Sequence, residues 1–484
     1  MKSRHIKYNL LKVAFFALPF TTLTACSDLL EPTPETAISD KNAFDTPERI
    51  QGQMNGLYDN AKSGQFLGGR YLVYNDIRAE EFINRLTNGF TGFSTWNHTL
   101  TSGATEVENV WGTAYATINR INVFLKGLDD NASKIDPILL AQYRGEAKFL
   151  RALTYFDLVV LYAKPYNLNN GTSPGLPLRL QAETTSDNND LERSTVAQVY
   201  AQILKDLDEA EAGLPASYAT PALNVTRAHK NAAIALKTRV NLNKGDYAKV
   251  VTEAQKIVSA TPPFKAATGV AHELQANAAA PFTTFTTTES VFSFPMTDSD
   301  APGTQNQLGY YYNAAPVGNG EYYLNPAGIL GNTEWRATDV RKANMLTVTG
   351  GNTYSKKFSK PAPFTDWVPM IRYAEVLLNY AEAAARTNDL AKATQLLSAV
   401  RNRADASYVF PAAAVATQDA LVNTILTERR IELLAEGFRS LDLLRLGQSI
   451  PAKSNVNAIS PTQVEYIWPI PQSELLANKK MTAN

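Results

Sequence analysis

Cysteine is almost absent from this chain: Cys26 is the only one among 484 residues. A lone cysteine excludes an internal disulfide and a cysteine-based metal cluster. Histidine is scarce too, with four residues, and no HExxH metal motif occurs. Basic and acidic residues both number 46, so the chain has no net charge that would attract nucleic acid.

The position of Cys26 suggests why it is present. A basic N-terminus is followed by the apolar residues 13–23 and by two small residues before Cys26. This is the layout of a secretory signal, and the apolar run is too short to span a bilayer. The sequence LTAC resembles a bacterial lipobox, in which the cysteine is lipidated and becomes the first mature residue. We therefore predict a signal peptide over residues 1–25 and a lipid anchor on Cys26; a plain signal peptide with a chance cysteine is the alternative.

Two further features bear on location. Ser27, rather than aspartate, follows the cysteine, which by the usual sorting logic favours the outer membrane. No long apolar run recurs after Cys26. We expect a soluble body tethered to the membrane through its lipid.

Helical periodicity dominates the rest of the chain. Thr46 and Pro47 predict one helix start, and further amphipathic helices are predicted from about residues 107, 137 and 195. An internal repeat also appears, in which an alanine-rich helix ends at a Gly-Asp or Asn-Asp turn and a second helix follows. The two copies start at Ala235 and Leu378. Such repeats are typical of tetratricopeptide-like helical hairpins.

Two long segments lack this periodicity. Residues 63–103 and 262–366 are rich in glycine, asparagine, threonine and aromatic residues, and the clearest strand-like run is 291–295. Loops this long are usually functional. A helical scaffold carrying such loops is typical of a binding protein.

Catalytic and metal motifs are weak or missing. Residues 171–175 fit GxSxG, but they lie in a proline-rich loop without the flanking strand and helix that the motif needs. Residues 186–192 lack the glycine and the final glutamate of a calcium loop. Asp76, Glu80 and Glu81 lie near one another, but acidic residues on a helix flank are normally solvated. We predict no enzyme activity, no cofactor and no metal.

Several sequence stretches, in a fixed order over nearly the whole chain, match one family. They are the lipobox at Cys26, W-x3-Y-x2-IN-x2-N from Trp111, GEAKFLRALTYFDLVVLYAKPY from Gly145, IRYAEVLLNYAEA from Ile371, VRNRA from Val400, ERRIELLAEGFRSLDLLRLG from Glu428 and IPQSELLAN from Ile470. Together they resemble the SusD/RagB family of nutrient-binding outer-membrane lipoproteins found in Bacteroidota. Many members run on past the last helix, whereas this chain stops at NKKMTAN; we expect this departure either to alter docking to the transporter or to have no consequence.

The resemblance implies a fold and a function. The fold is an all-α dominated one, a scaffold of four tetratricopeptide-like hairpins with long irregular insertions that form the ligand-binding part. Residues 26–484 would be a single domain. The protein would bind oligosaccharides at the cell surface and deliver them to a SusC-like TonB-dependent transporter. Peptide binding is the main alternative, and a structural adaptor or a glycosidase is less favoured.

The structural role of the family motif at Glu428 can also be predicted from its residues alone. Its apolar side chains form one buried stripe. Its charged side chains are predicted to pair with one another at helical spacings, adding only tenths of a kcal/mol each: Arg429, Arg430, Glu432 and Glu436. On this reading the motif is scaffold and does not mark the ligand site.

A sugar site needs flat aromatic platforms and polar side chains that fix hydroxyl groups. Both insertions supply them. The first contains Asp76, Arg85, Trp96, Asn97 and His98, and the second contains Tyr310, Tyr311, Tyr312, Tyr322, Tyr323 and Trp335. We expect Trp96 to be the principal platform and Trp111, on an apolar helix face, to be core. For any single tyrosine the alternative role is packing within its loop.

Overall fold

The computed structural model describes residues 42–484, and helices make up most of their regular structure. The α-helices are α1 Pro47–Ala61, α2 Arg70–Arg78, α3 Phe93–Trp96, α4 Thr105–Asp130, α5 Pro137–Tyr162, α6 Val196–Gly213, α7 Pro221–Thr226, α8 Lys230–Lys244, α9 Tyr247–Ile257, α10 Ala280–Thr283, α11 Leu308–Tyr312, α12 Val340–Met345, α13 Tyr373–Arg386, α14 Leu390–Asn402, α15 Ala412–Val415, α16 Gln418–Glu432, α17 Arg439–Arg445 and α18 Gln472–Ala477. The strands are β1 Phe82–Asn84, β2 Ser290–Phe294, β3 Tyr322–Leu324, β4 Leu346–Thr349, β5 Asn352–Ser355 and β6 Val368–Arg372. Phe44–Asn484 form one compact unit. The predicted signal peptide and Cys26 lie outside the described residues.

Side-chain caps fix the starts of the predicted helices. Thr46 accepts a hydrogen bond from the Arg49 amide ahead of α1. Asp136 accepts from two amides at the start of α5, and Thr195 forms a reciprocal capping box with Gln198 at the start of α6. These caps satisfy amides that have no partner inside the helix, which confirms the helix starts predicted from the sequence.

The internal repeat forms two helical hairpins. Gly245 adopts a left-handed conformation, with φ of +80°, after α8, and the side chain of Asp246 caps α9. Asn388, with φ of +68°, and Asp389 do the same between α13 and α14. Only glycine and, less often, asparagine adopt this conformation at low cost, so the shared turn chemistry produces the shared structure.

The long helices pack as a layered scaffold. Helix α5 packs against both α4 and α6, α8 packs against α9, and α13 contacts α9, α14 and α16. This arrangement confirms the predicted helix-dominated, tetratricopeptide-like fold. Within residues 42–484, no helix combines the length and the apolarity that crossing a bilayer requires.

Strands are few, and two of their three pairs join distant segments. Three antiparallel pairs form, β1 with β3, β2 with β6, and β4 with β5. The predicted strand at 291–295 is β2, and its partner β6 leads directly into α13. The β1–β3 pair joins the first irregular insertion to the second.

A cluster of buried charges lies where these loops meet the scaffold. We call it the central ion network. No side chain in it is more than 7% exposed, and it contains five basic and five acidic groups: Arg341, Lys357, Arg372, Arg401, Arg403, Glu289, Asp339, Glu428, Glu432 and Glu436. Equal numbers of opposite charges make such burial tolerable, since an unpaired ion in the interior costs several kcal/mol.

Glu432, the last residue of α16, is the hub of the network. One carboxylate oxygen lies 2.8 Å from Arg341, the other lies 2.9 Å from Arg372, and Arg403 also contacts it. Burial alone would raise the pKa of Glu432, but the three guanidinium groups outweigh it and hold that pKa well below its usual value.

The prediction that Arg429, Arg430, Glu432 and Glu436 pair with one another at helical spacings was wrong. Helix α16 ends at Glu432, and Ala435 and Gly437 have positive φ. Because the helix stops, Glu436 does not keep helical spacing with Glu432. The partners instead belong to other elements: Asp442 and Asn379 for Arg429, Glu80 and Glu81 for Arg430, and Lys357 and Arg372 for Glu436.

We expect Glu432→Gln to lower the free energy of unfolding by about 3–5 kcal/mol, because three buried arginines lose a charge partner. A carboxylate with a depressed pKa stabilises the fold above its unfolded value, near pH 4, and this contribution is lost as pH falls. The variant should therefore lose less stability than the wild type between about pH 5 and pH 3. Urea denaturation across that range measures both effects.

Lys126→Gln provides a matched control. Lys126 pairs with Asp130 at 2.7 Å, and both side chains are more than half exposed. Exposed pairs contribute only about 0–1 kcal/mol. Equal stability losses in the two variants would contradict the assigned role of the network.

Candidate functional site

The β1–β3 pair brings the two predicted binding loops together. Ile83 lies opposite Tyr323, and Asn84 lies opposite Tyr322. Just beyond β1, the Arg85 amide donates to the Glu321 carbonyl at 2.9 Å, and its guanidinium Nε donates to the Gly320 carbonyl at 2.8 Å. Two segments more than 200 residues apart in sequence therefore share one surface.

Trp96, the predicted principal platform, is part of the core instead. Its ring is 4% exposed, and its Nε1 donates to the Phe82 carbonyl at 2.9 Å. Phe93 stacks on one side, and the Lys453 ammonium lies 5.5 Å from the ring centre. No face is left for a sugar, so the prediction for Trp96 was wrong. Trp111 is buried as expected.

Half of the other predicted site residues, five of ten, are also buried. Asp76 is 2% exposed and accepts a hydrogen bond from the Tyr312 hydroxyl at 2.7 Å; burial raises the pKa of Asp76 to about 8. The remaining buried members are Tyr311, Tyr312, Tyr322 and Trp335. Tyr311 and Tyr322 donate their hydroxyls to loop carbonyls. Long segments with little regular structure need apolar groups of their own to pack, and these rings supply them, which corrects their assignment as platforms.

Five predicted residues keep accessible surface. Arg85 is exposed, and Asn97, His98, Tyr310 and Tyr323 are partly exposed. For these residues ligand binding stays a prediction.

The structure adds aromatic rings that were not predicted. Phe90, in the first loop, is 72% exposed. Trp367 is partly exposed, and its ring stacks on Phe285 with centroids 5.3 Å apart and planes 12° apart. Trp367 follows the predicted insertion by one residue, and a tryptophan in the proline-rich stretch PAPFTDW was the available signal.

Asn319 connects Arg85 of the first loop segment to Tyr310 of the second. Its amide donates to the Tyr310 carbonyl at 2.9 Å, and its own carbonyl accepts from Arg85 Nη2 at 3.1 Å. The Tyr310 ring meets Phe364 edge to face at 6.1 Å, and Phe364 shares a short loop with Trp367. We use the name loop surface for six of these accessible residues: Arg85, Phe90, Tyr310, Tyr323, Phe364 and Trp367.

The central ion network contacts the aromatic rings of these loops. The Lys357 ammonium lies 4.9 Å from the centre of the Phe282 ring, and the Arg372 guanidinium lies 5.1 Å from it. Phe358 contacts both Phe282 and Tyr312. A continuous set of contacts therefore runs from the buried charges to the helix that carries Tyr310.

The weak catalytic and metal motifs have structural roles. Glu80 and Glu81 are buried and bound by Arg430 and Arg439, not solvated as expected. In residues 186–192 the Arg179 guanidinium donates to the carbonyls of Asn188 and Asn189. A cation thus already occupies these oxygens. No cluster of acidic, histidine or cysteine side chains suited to a metal occurs within residues 42–484.

Comparison with known proteins places the chain in a family. Residues 28–242 match a family model described as starch-binding and associating with the outer membrane, and residues 274–484 match the SusD family model. A SusD superfamily structure from Bacteroides fragilis is 32% identical, covers 91% of this chain and 100% of its own, and superposes with a TM-score of 0.82. The chain belongs to the SusD/RagB family.

Other SusD-like proteins extend the comparison. A SusD superfamily structure from Bacteroides thetaiotaomicron is 25% identical over 90% of this chain and 99% of its own, with a TM-score of 0.81. A SusD-like protein of Formosa agariphila is 23% identical over 99% of both chains. A structure described as a laminarin-binding SusD-like protein, 22% identical, shares the fold with a TM-score of 0.67 over 91% of this chain and 99% of its own.

We expect Trp96→Ala to lower the free energy of unfolding by about 3–5 kcal/mol, as removal of a core tryptophan commonly does. Trp367→Ala should cost clearly less, because part of that ring already contacts solvent. Urea denaturation of both variants, followed by circular dichroism, measures the difference. A Trp96→Ala protein as stable as the wild type would show that this ring is not core.

Proposed function

We propose that this SusD-family protein is a surface-exposed, lipid-anchored outer-membrane protein that binds oligosaccharides and delivers them to a SusC-like TonB-dependent transporter. The observation that carries the ligand class is the loop surface, which combines partly exposed aromatic rings with the exposed side chain of Arg85. The predicted lipobox and the family description support the location, and family membership supports the partner.

The chemistry of the loop surface suits a sugar. Each pyranose ring has an apolar face of C–H groups, which stacks on a flat aromatic ring, and a rim of hydroxyl groups. Tyr323 and Trp367 offer flat rings, while Arg85 offers N–H donors but no acceptor. Because Arg85 Nε and Nη2 are already held by loop carbonyls, its position is fixed before a ligand arrives. A fixed side chain loses less entropy on binding.

The scaffold supplies the rigidity that such a surface needs. Tyr323 packs near Tyr354 of the β4–β5 hairpin, with ring centres 6.4 Å apart, and its strand pairs with β1. Trp367 precedes β6, whose last residue, Arg372, belongs to the central ion network. Tyr323 therefore lies in a paired strand, and Trp367 directly precedes one.

We expect Tyr323→Ala and Trp367→Ala each to weaken binding of the best oligosaccharide by about 10- to 70-fold. This corresponds to ~60–100 Å² of apolar contact at ~25 cal/mol per Å². A panel of neutral and acidic oligosaccharides, screened by affinity electrophoresis and then measured by calorimetry, identifies the ligand. The melting midpoint is recorded for each variant so that a loss of folding is not mistaken for a loss of binding.

Tyr247→Ala is the matched control. Tyr247 is also partly buried and has a cation, Arg386, 4.9 Å from its ring centre, but it lies on α9 of the scaffold. Its replacement should leave affinity unchanged. A response to peptides but not to any glycan would favour the peptide alternative, release of reducing sugar would indicate a glycosidase, and no response to either would favour an adaptor. Each of these results would contradict the proposed role, which is binding of oligosaccharides without catalysis.

A further inference from the structure

A small niche lies beside Gly320, next to Arg85 of the loop surface. Gly320 has a left-handed backbone, with φ of +60°, and lacks the Cβ atom that another residue would place in this niche. Three hydrogen-bond donors surround the position of that missing atom: the Ala315 amide nitrogen at 3.4 Å, the Tyr354 hydroxyl at 3.5 Å and Arg85 Nη2 at 3.6 Å. We call this arrangement the Gly320 niche. Its donors come from three separate segments and lie close enough for one oxyanion to reach more than one of them.

The donors of the niche are accessible and unused. Arg85 and Ala315 are exposed. Tyr354 is 4% exposed, but its unpaired hydroxyl retains accessible surface. Neither this hydroxyl nor the Ala315 amide forms a hydrogen bond with any residue in the described range 42–484. A mostly buried tyrosine usually pairs its hydroxyl, so the free hydroxyl of Tyr354 points to a partner from outside the chain.

The Arg85 guanidinium is held in place before any ligand binds. Its Nε and Nη2 donate to the carbonyls of Gly320 and Asn319. This leaves Nη1 and the second hydrogen of Nη2 without a partner among the described residues. The Gly320 amide in turn donates to the Asn313 carbonyl at 2.8 Å, so the loop that positions Arg85 is itself closed by a hydrogen bond. A side chain fixed in this way loses little further entropy on binding.

The charge of Arg85 has no partner in the part of the chain that the structure describes, because no carboxylate forms an ion pair with it. Glu321, which follows the niche in sequence, is fully buried. Its carboxyl accepts hydrogen bonds from the Thr91 hydroxyl and the Asn319 side chain instead. A cation that is fixed, exposed and unpaired favours an anionic ligand over a neutral one.

An aromatic ring stands next to these donors. The Tyr323 ring is partly exposed, and its centre lies 6.4 Å from that of Tyr354. Tyr323 is on β3, which pairs with the strand that leads into Arg85. A pyranose ring on Tyr323 and an anionic group at Arg85 can thus belong to the same sugar unit or to neighbouring units.

We infer that the Gly320 niche binds an anionic group, a carboxylate or a sulfate, of an acidic oligosaccharide, with Arg85 supplying the charge and Tyr354 and the Ala315 amide supplying further donors. The inference rests on the proposed oligosaccharide function and adds a ligand class to it. Arginine suits oxyanions because its planar donors match two oxygen atoms at once. The hydroxyl and the amide can donate to the same group.

Ligand-observed NMR titration of the full mature chain tests this inference. Methyl β-D-glucuronide and methyl β-D-glucoside share one ring and differ in the carboxylate. The glucuronide should bind about tenfold or more tightly, and Arg85→Gln should remove the difference. Tyr354→Phe, which removes only the hydroxyl, should weaken glucuronide binding by about three- to tenfold. Added NaCl should weaken binding of the glucuronide but not of the glucoside, an effect that a purely structural role would not produce.

Arg120→Gln is the matched control, because Arg120 is also an exposed arginine but lies on α4 of the scaffold. It should leave both affinities unchanged. Methyl β-D-glucoside 6-sulfate distinguishes the two anionic groups, since the tighter of the two charged sugars identifies the group that the niche prefers. If neither charged sugar binds more tightly than the glucoside, or if the preference survives Arg85→Gln, the inference is overturned. Acetate binding as tightly as the glucuronide would indicate a general small-anion site, and an acidic dipeptide doing so would indicate a peptide carboxylate; both would overturn the sugar assignment.

The wild-type titrations decide the question even if a variant fails to fold. The proposed function is tested separately, since Trp367→Ala reports on a residue outside the niche and the oligosaccharide panel includes neutral glycans. Binding of a neutral oligosaccharide that depends on Trp367, without any preference for a charged sugar, would refute the niche and leave the proposed function standing. No binding of any sugar would overturn both.

Discussion

The interaction between Glu432 and three arginines is the constraint on which the rest of the structure depends. Arg341 lies on α12 within the second loop segment, Arg372 ends β6, and Arg403 follows α14, so one carboxylate ties three separate elements to the end of α16. None of these four charges can be left unpaired without a large desolvation cost. The network therefore allows few positions of the loops relative to the helices.

This constraint matters for the candidate site because the loops have little regular structure of their own. Short strand pairs and buried tyrosines stabilise these loops locally. The Lys357 and Arg372 side chains also contact the Phe282 ring. An aromatic surface that is already ordered loses less entropy when a flexible oligosaccharide binds. We therefore regard the ion network as the support of the loop surface, and the partly exposed rings as its recognition groups.

The helical scaffold could be predicted from the sequence because its signals are local. Thr46, Asp136 and Thr195 mark helix starts through contacts within three residues, and the Gly245-Asp246 and Asn388-Asp389 turns act over similar distances. The two loop segments were also recognisable from their composition. The family motifs were specific enough to give the fold class before any coordinates.

The accessible residues of the site could not be predicted in the same way. Trp96 and Trp367 both lie in polar, irregular segments, yet one is core and the other is partly exposed. The difference depends on contacts with Phe82, Lys453 and Phe285, which the sequence order does not reveal. The same holds for Arg429, Arg430 and Glu436, because their partners lie on other elements and the helical spacing of these residues does not reveal them.

Hydrogen exchange of a Glu436→Gln variant tests most directly whether the ion network supports the loops. The Glu436 carboxylate binds Lys357 and Arg372, and none of its hydrogen bonds or ion pairs within residues 42–484 involves α4 or α5. If the ion network supports the loops, this variant should show faster amide exchange in residues 280–290 and 355–372, with unchanged exchange in α4 and α5. Exchange that rises equally throughout the protein, or that stays unchanged in those two loop segments, would contradict it.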